Sequence, residues 1–82
     1  MLKIMVVDDN ENTRKLTSTV LKRNGYDTIC AGDGEEGLEI MDKTHVDLIV
    51  LDIMMPEMDG YEFTRTLREC NNNTPILMVS AK

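Results

Sequence analysis

Basic charge, histidine, cysteine, aromatic residues and long apolar runs are all scarce in this sequence, and each shortage closes off a class of function. Nine lysines and arginines stand against fifteen aspartates and glutamates, a net charge of −6 with a pI near 4.6. A surface of that sign repels phosphate backbones and anionic headgroups, so this segment is not expected to bind nucleic acid or a membrane. Aromatic residues are 4% of the chain, and none is interleaved with a basic patch to make a base-stacking surface. A single histidine, His45, leaves no multi-histidine metal site. Cys30 and Cys70 are too few for a disulfide framework and have no ligand at CxxC or CxH spacing. They read as two reduced thiols in a cytoplasmic protein. The longest apolar runs, Ile4–Val7 and Leu48–Leu51, fall far short of the roughly 20 residues of a membrane span. The N-terminus reaches Asp8 and Asp9 with no room for a signal-peptide core.

What is present is an alternation of strand-like and helix-like stretches. The 82 residues allow one small domain, and a chain of that size buries only about two-thirds of its unfolded surface. Leu2–Val7 is an apolar, β-branched run ending in two aspartates, the pattern of a strand buried on both faces of a parallel sheet. From Glu11 to Asn24 the positions Leu16, Val20 and Leu21 predict an amphipathic helix with these residues buried, stopped by Asn24-Gly25. Tyr26–Ala31 reads as a second strand. Asp33 can cap a second helix with Glu36 as its capping-box partner, and Leu38 and Met41 form one buried stripe. Val46–Leu51, the most apolar strand, is expected to be central. A loop from Ile53 to Asp59 follows; Asp59 caps a third helix with Glu62, burying Tyr61 or Phe63 with Leu67. Asn71-Asn72-Asn73 makes a polar turn before a fourth strand, Pro75–Val79. The order β-α-β-α-β-α-β, with right-handed crossovers, is an α/β fold with helices on both faces of a parallel sheet.

Ligands of such sheets bind beyond the carboxyl ends of the strands. Strand one ends in Asp8 and Asp9, strand three in Asp52, and strand four in Ser80 and Ala81, so three carboxylates and a hydroxyl converge on one edge of the sheet. Helix capping does not account for all three aspartates, because Asp52 precedes a loop containing Pro56. Three anions in close proximity require a proton or a cation, and carboxylate oxygens with a main-chain carbonyl and water suit Mg²⁺. Two look-alikes fail. Gly32-Asp33-Gly34-Glu35-Glu36-Gly37 has the GxGxxG spacing, but a pyrophosphate would meet Asp33, Glu35 and Glu36, and the match follows the second strand. Asp8-Asp9-Asn10-Glu11-Asn12 resembles the start of a calcium loop, yet Thr13 replaces the needed glycine and Thr19 the closing glutamate. Met5, Met41 and Met78 read as core, and Met54, Met55 and Met58 as partly exposed beside Asp52.

Val6-Val7-Asp8-Asp9, Leu51-Asp52-Ile53-Met54-Met55-Pro56-Glu57-Met58-Asp59-Gly60 and Met78-Val79-Ser80-Ala81 resemble the receiver domain of two-component response regulators. The resemblance spans the whole chain. It implies a flavodoxin-like doubly wound sheet, here with order 2-1-3-4, and Mg²⁺-dependent phosphorylation of Asp52 by a histidine kinase or phosphotransfer protein. It implies Asp9 as a direct Mg²⁺ ligand, Asp8 as a ligand through water, and Asp52 and the main-chain carbonyl of Met54 as further ligands. Ser80 takes the part of the switch hydroxyl. Such a domain is a phosphoacceptor, not an enzyme, and signals to an output domain or effector protein. Receivers usually run to about 120 residues and five strands, with a lysine after the fifth. Residues 1–82 are therefore expected to be the N-terminal part of one receiver domain, with no output domain, impaired phosphorylation, and a dimer or higher assembly covering strand four. The alternatives are an interaction module that never takes up phosphate and a small aspartate-nucleophile phosphatase; the latter needs an acid two residues after the nucleophile, where Met54 stands.

Overall fold

The computed structural model describes residues 1–79. Its elements are β1 (Lys3–Val7), α1 (Glu11–Arg23), β2 (Asp27–Ala31), α2 (Gly34–Lys43), β3 (Leu48–Asp52), α3 (Gly60–Glu69) and β4 (Ile76–Val79). All strand pairs are parallel and the order is β2-β1-β3-β4, the flavodoxin-like arrangement. Strands one and three take the two interior positions, as expected for the third.

Each helix starts where a short polar side chain can satisfy its free N–H groups. The Oδ1 atoms of Asn10, Asp33 and Asp59 accept from Thr13, Glu36 and Glu62 at 3.0, 2.8 and 2.9 Å. Glu36 reaches back to the N–H of Gly32, so the Asp33 and Glu36 side chains at that helix start are engaged within the protein. Met58 fills the remaining space, since a Cβ on Gly34 would stand 2.7 Å from its Sδ. The GxGxxG stretch is thus a capped and packed helix start.

On one face of the sheet, Met5, Val7, Ala31, Ile49 and Leu51 pack with Phe63 and Leu67 of α3. Phe63 is fully buried, a stabilisation of about 1.5–3 kcal/mol, while Tyr61 is exposed. Leu38 and Met41 of α2 pack against this cluster, as does Met58, and Met55 is buried within it.

The other face differs from the sequence expectation. Leu16 is 66% and Val20 47% exposed, so they are not the buried stripe of α1. The side of α1 turned to the sheet is built around Ser18, whose hydroxyl meets that of Thr28 at 2.7 Å. Leu16 and Val20, each two residues away, lie about 200° around the helix from it. A small hydroxyl at the contact lets α1 lie close over β1 and β2, covering Ile4 and Val6. Beyond its reach, Leu77 and Val79 of β4 are exposed; the register Val6↔Val50↔Leu77 puts Leu77 on this same face. Among the described residues, no helix is long and apolar enough to cross a membrane.

Candidate functional site

The register of the two central strands builds the site. Val7 pairs with Leu51, so the next residues, Asp8 and Asp52, emerge side by side at the carboxyl end of the sheet. Asp8 is 5% and Asp52 1% exposed, whereas Asp9 is on the surface. Carboxylate oxygens of Asp8, Asp9 and Asp52 lie within 4.8 Å of one another.

Both buried aspartates are held by the same local device. The N–H of Asn10 donates to Asp8 Oδ1 at 2.9 Å, and that of Met54 to Asp52 Oδ1 at 3.1 Å. Each is an Asx turn, in which a side chain captures the backbone two residues on and bends the chain out of its strand. Asp52 Oδ2 is left buried without a hydrogen-bond partner among the described residues. An unpaired buried carboxylate oxygen is costly, and two further carboxylates beside it raise that cost. A hard divalent cation removes both penalties, and an all-oxygen donor set matches the preference of Mg²⁺.

The loop after β3 is locked where it leaves Asp52. Ile53 donates to the carbonyl of Val79 at 3.1 Å and accepts from the N–H of Gly60 at 3.1 Å. Gly60 is required by this closure, because a Cβ there would stand 2.9 Å from Ile53 Cα and 3.2 Å from the carbonyl oxygen of Asp52. Within the loop, Met58 donates to the carbonyl of Pro56 at 2.7 Å across Glu57, whose φ of +68° is a strained turn conformation for a residue with a side chain.

The structure thus brings together Asp8, Asp9 and Asp52 and puts Met54 in the turn bonded to Asp52. Ser80 lies outside the described residues. Sequence reasoning missed Arg14, whose Nη1 donates to the carbonyl of Asp8 at 2.8 Å, and Asn10 as the cap of α1. Asn10 was readable from its position before Glu11. Arg14 carried no signal, being one of several basic residues on an exposed helix.

Comparison with known proteins agrees with this geometry. The family model described as "Response regulator receiver domain" matches residues 4–82. The alkaline phosphatase synthesis transcriptional regulatory protein PhoP of Bacillus subtilis is 49% identical over 80 residues, covering 98% of this chain and 33% of the relative. Protein PilG of Pseudomonas aeruginosa is 40% identical over 83 residues, covering 99% of this chain and 62% of that protein. Among solved structures, the receiver domain of Francisella response regulator 1452 superposes with a TM-score of 0.94 at 38% identity, covering 99% of this chain and 67% of that one. Response regulator TrrA of Thermotoga maritima, solved in complex with Mg²⁺-BeF, gives 0.93 at 35% identity, covering 100% and 71%. The chain therefore spans about a third of the length of the first of these relatives and about two-thirds of these solved chains. With the sheet order, the acidic site and the family model in accord over almost every residue, this chain belongs to the response regulator receiver domain family.

Proposed function

We propose that this chain is the phosphoacceptor module of a two-component relay, with Asp52 as the acceptor and residues 1–82 as the N-terminal part of the receiver. The observation that carries the reading is the meeting of three carboxylates within 4.8 Å around a buried Asp52 oxygen that has no hydrogen-bond partner among the described residues. Asp9, Asp52 and the Met54 carbonyl would hold Mg²⁺ directly and Asp8 through water. The ion supplies charge neutralisation for a carboxylate meeting a phosphoryl group. The Asp52 carboxylate attacks phosphorus, the bond from phosphorus to the donor nitrogen of a histidine kinase or phosphotransfer protein breaks, and the nitrogen leaves with its electron pair. The Asx turn from Met54 fixes the nucleophile's rotamer for in-line approach. Ser80 is the hydroxyl assigned to report the phosphorylated state. In this reading the chain turns over no separate substrate, works in the cytoplasm, and passes its state to an output domain or effector. As an edge of the described sheet, β4 offers backbone groups for pairing that favour self-association of the 82-residue chain.

Backbone amide shifts during a Mg²⁺ titration test the site, with responses expected at residues 8–9 and 52–54. A small phosphodonor is expected to add one phosphoryl group slowly, only with Mg²⁺, and not to an Asp52→Asn variant. Unchanged shifts, or phosphorylation that persists in Asp52→Asn, would overturn the reading.

A further inference from the structure

The three carboxylates of the site are not held in the same way. Asp8 and Asp52 are buried and tied by Asx turns. Asp9 is exposed, and its carboxylate accepts no hydrogen bond among the described residues. Its place in the cluster is set by the backbone that carries it, above all by the peptide linking it to Asp8. That peptide's oxygen is the carbonyl of Asp8, the acceptor for Arg14 Nη1 at 2.8 Å. The preceding peptide is anchored separately, its N–H donating to the carbonyl of Ala31 at 3.2 Å. Arg14 is itself well fixed. Its backbone N–H closes the first turn of α1 on Asn10 at 2.9 Å, and its guanidinium lies over Gly32, with Nη1 3.4 Å from where a Cβ would stand.

We propose that Arg14 is a positioning residue for the acidic site, holding the Asp8–Asp9 peptide so that the Asp9 carboxylate meets those of Asp8 and Asp52. This rests on the Mg²⁺-site reading above. Charge and position pull in opposite directions here, which makes the proposal testable by sign. A guanidinium beside a cation site repels the incoming ion, so by Coulomb's law alone its removal tightens Mg²⁺ binding. If its hydrogen bond orients a ligand, removal weakens binding, as loss of the groups that support metal ligands generally does.

The test is a Mg²⁺ titration of the full 82-residue chain, read by the amide shifts of residues 8–9 and 52–54, alongside thermal melts in EDTA. Arg14→Met keeps the apolar stem and removes the donor and charge; we expect its Kd for Mg²⁺ to rise about tenfold. Arg14→Lys is expected to recover most of that loss, because a single N–H to a carbonyl is what the position requires. A Kd for Arg14→Met equal to or tighter than wild type overturns the proposal, as does a lowered melting temperature with unchanged Kd. If Arg14→Met does not fold, Arg14→Gln is judged by the same criteria. Failure of the underlying reading looks different: wild type itself shows no response to Mg²⁺, or Asp9→Asn binds it unchanged.

Discussion

Replacing Asp52 with asparagine is expected to stabilise the metal-free protein while removing the proposed acceptor. Two unit charges 4.8 Å apart, the outer limit for the oxygens of this cluster, repel by about 3.5 kcal/mol at an effective dielectric near 20. Asp52 faces two such neighbours. Solvent around exposed Asp9 and relaxation of its side chain reduce that figure severalfold. Asparagine keeps an oxygen for the Met54 N–H, now 3.1 Å from Oδ1, and puts an NH₂ donor in place of the unpartnered Oδ2. It loses nothing that folding uses and gains a donor facing carboxylates. The net effect is a gain of about 1–3 kcal/mol, and each kcal/mol raises Tm by about 4–8 °C in a domain of this size. Urea and thermal unfolding in EDTA, followed by circular dichroism, measure it directly. Mg²⁺ at about 1,000 times its Kd reverses the ranking, because a ligand at that excess adds about 4.1 kcal/mol to the protein that binds it. Added salt narrows the gap in EDTA by screening the repulsion. An Asp52→Asn variant that melts at or below wild type in EDTA refutes the argument, since the carboxylates would then not be in mutual repulsion.

Three further outcomes are expected. Gly60→Ala forces a Cβ against the backbone of Ile53 and Asp52 and lowers stability by about 1–3 kcal/mol; urea unfolding decides, and an unchanged midpoint means that the β3–α3 closure is looser than described. Asp47 accepts from the N–H of Lys3 at 2.9 Å and meets His45 at 2.8 Å, and these contacts, the backbone bond foremost, hold its carboxyl below the ordinary aspartate range. A depressed folded-state value stabilises the fold above the unfolded pKa of about 4, and the benefit disappears as pH falls through the lower folded value. Wild type is therefore more stable than Asp47→Asn at pH 5 and converges with it as pH falls through that lowered folded value in paired melts; a constant difference would contradict this. Sedimentation of the 82-residue chain across a dilution series is expected to show a dimer or larger species, and a folded monomer at low micromolar concentration would refute it.

Much of the fold was legible because it depends on short-range chemistry. Asp33 and Asp59, each followed three residues later by a glutamate, mark helix starts in the sequence and are found capping them. The apolar runs ending in Asp8 and Asp52 place those residues at strand ends, and neighbouring strands in register bring them together. The stripe of α1 was misread because periodicity ranks residues by hydrophobicity, whereas the buried position against the sheet went to Ser18, a small side chain that hydrogen-bonds Thr28. Met55 was expected near the surface and is buried, since the turn at Pro56–Met58 folds that side chain inward. Arg14 acts on a backbone carbonyl, and a carbonyl leaves no trace in a sequence.

The pairing of β1 with β3 carries a kinetic consequence. Lys3 and Asp47 meet across 44 residues at one end of that ladder, and Asp8 and Asp52 meet across the same separation at the other. Between them the chain must lay down α1, β2 and α2. Loop closure over such a span is slow and comes before the contacts that reward it. Until the ladder closes, the carboxylates are distributed along a flexible chain and offer a cation no pocket. An ion that recognises only the closed ladder leaves the refolding rate nearly untouched and instead lengthens the lifetime of the folded chain.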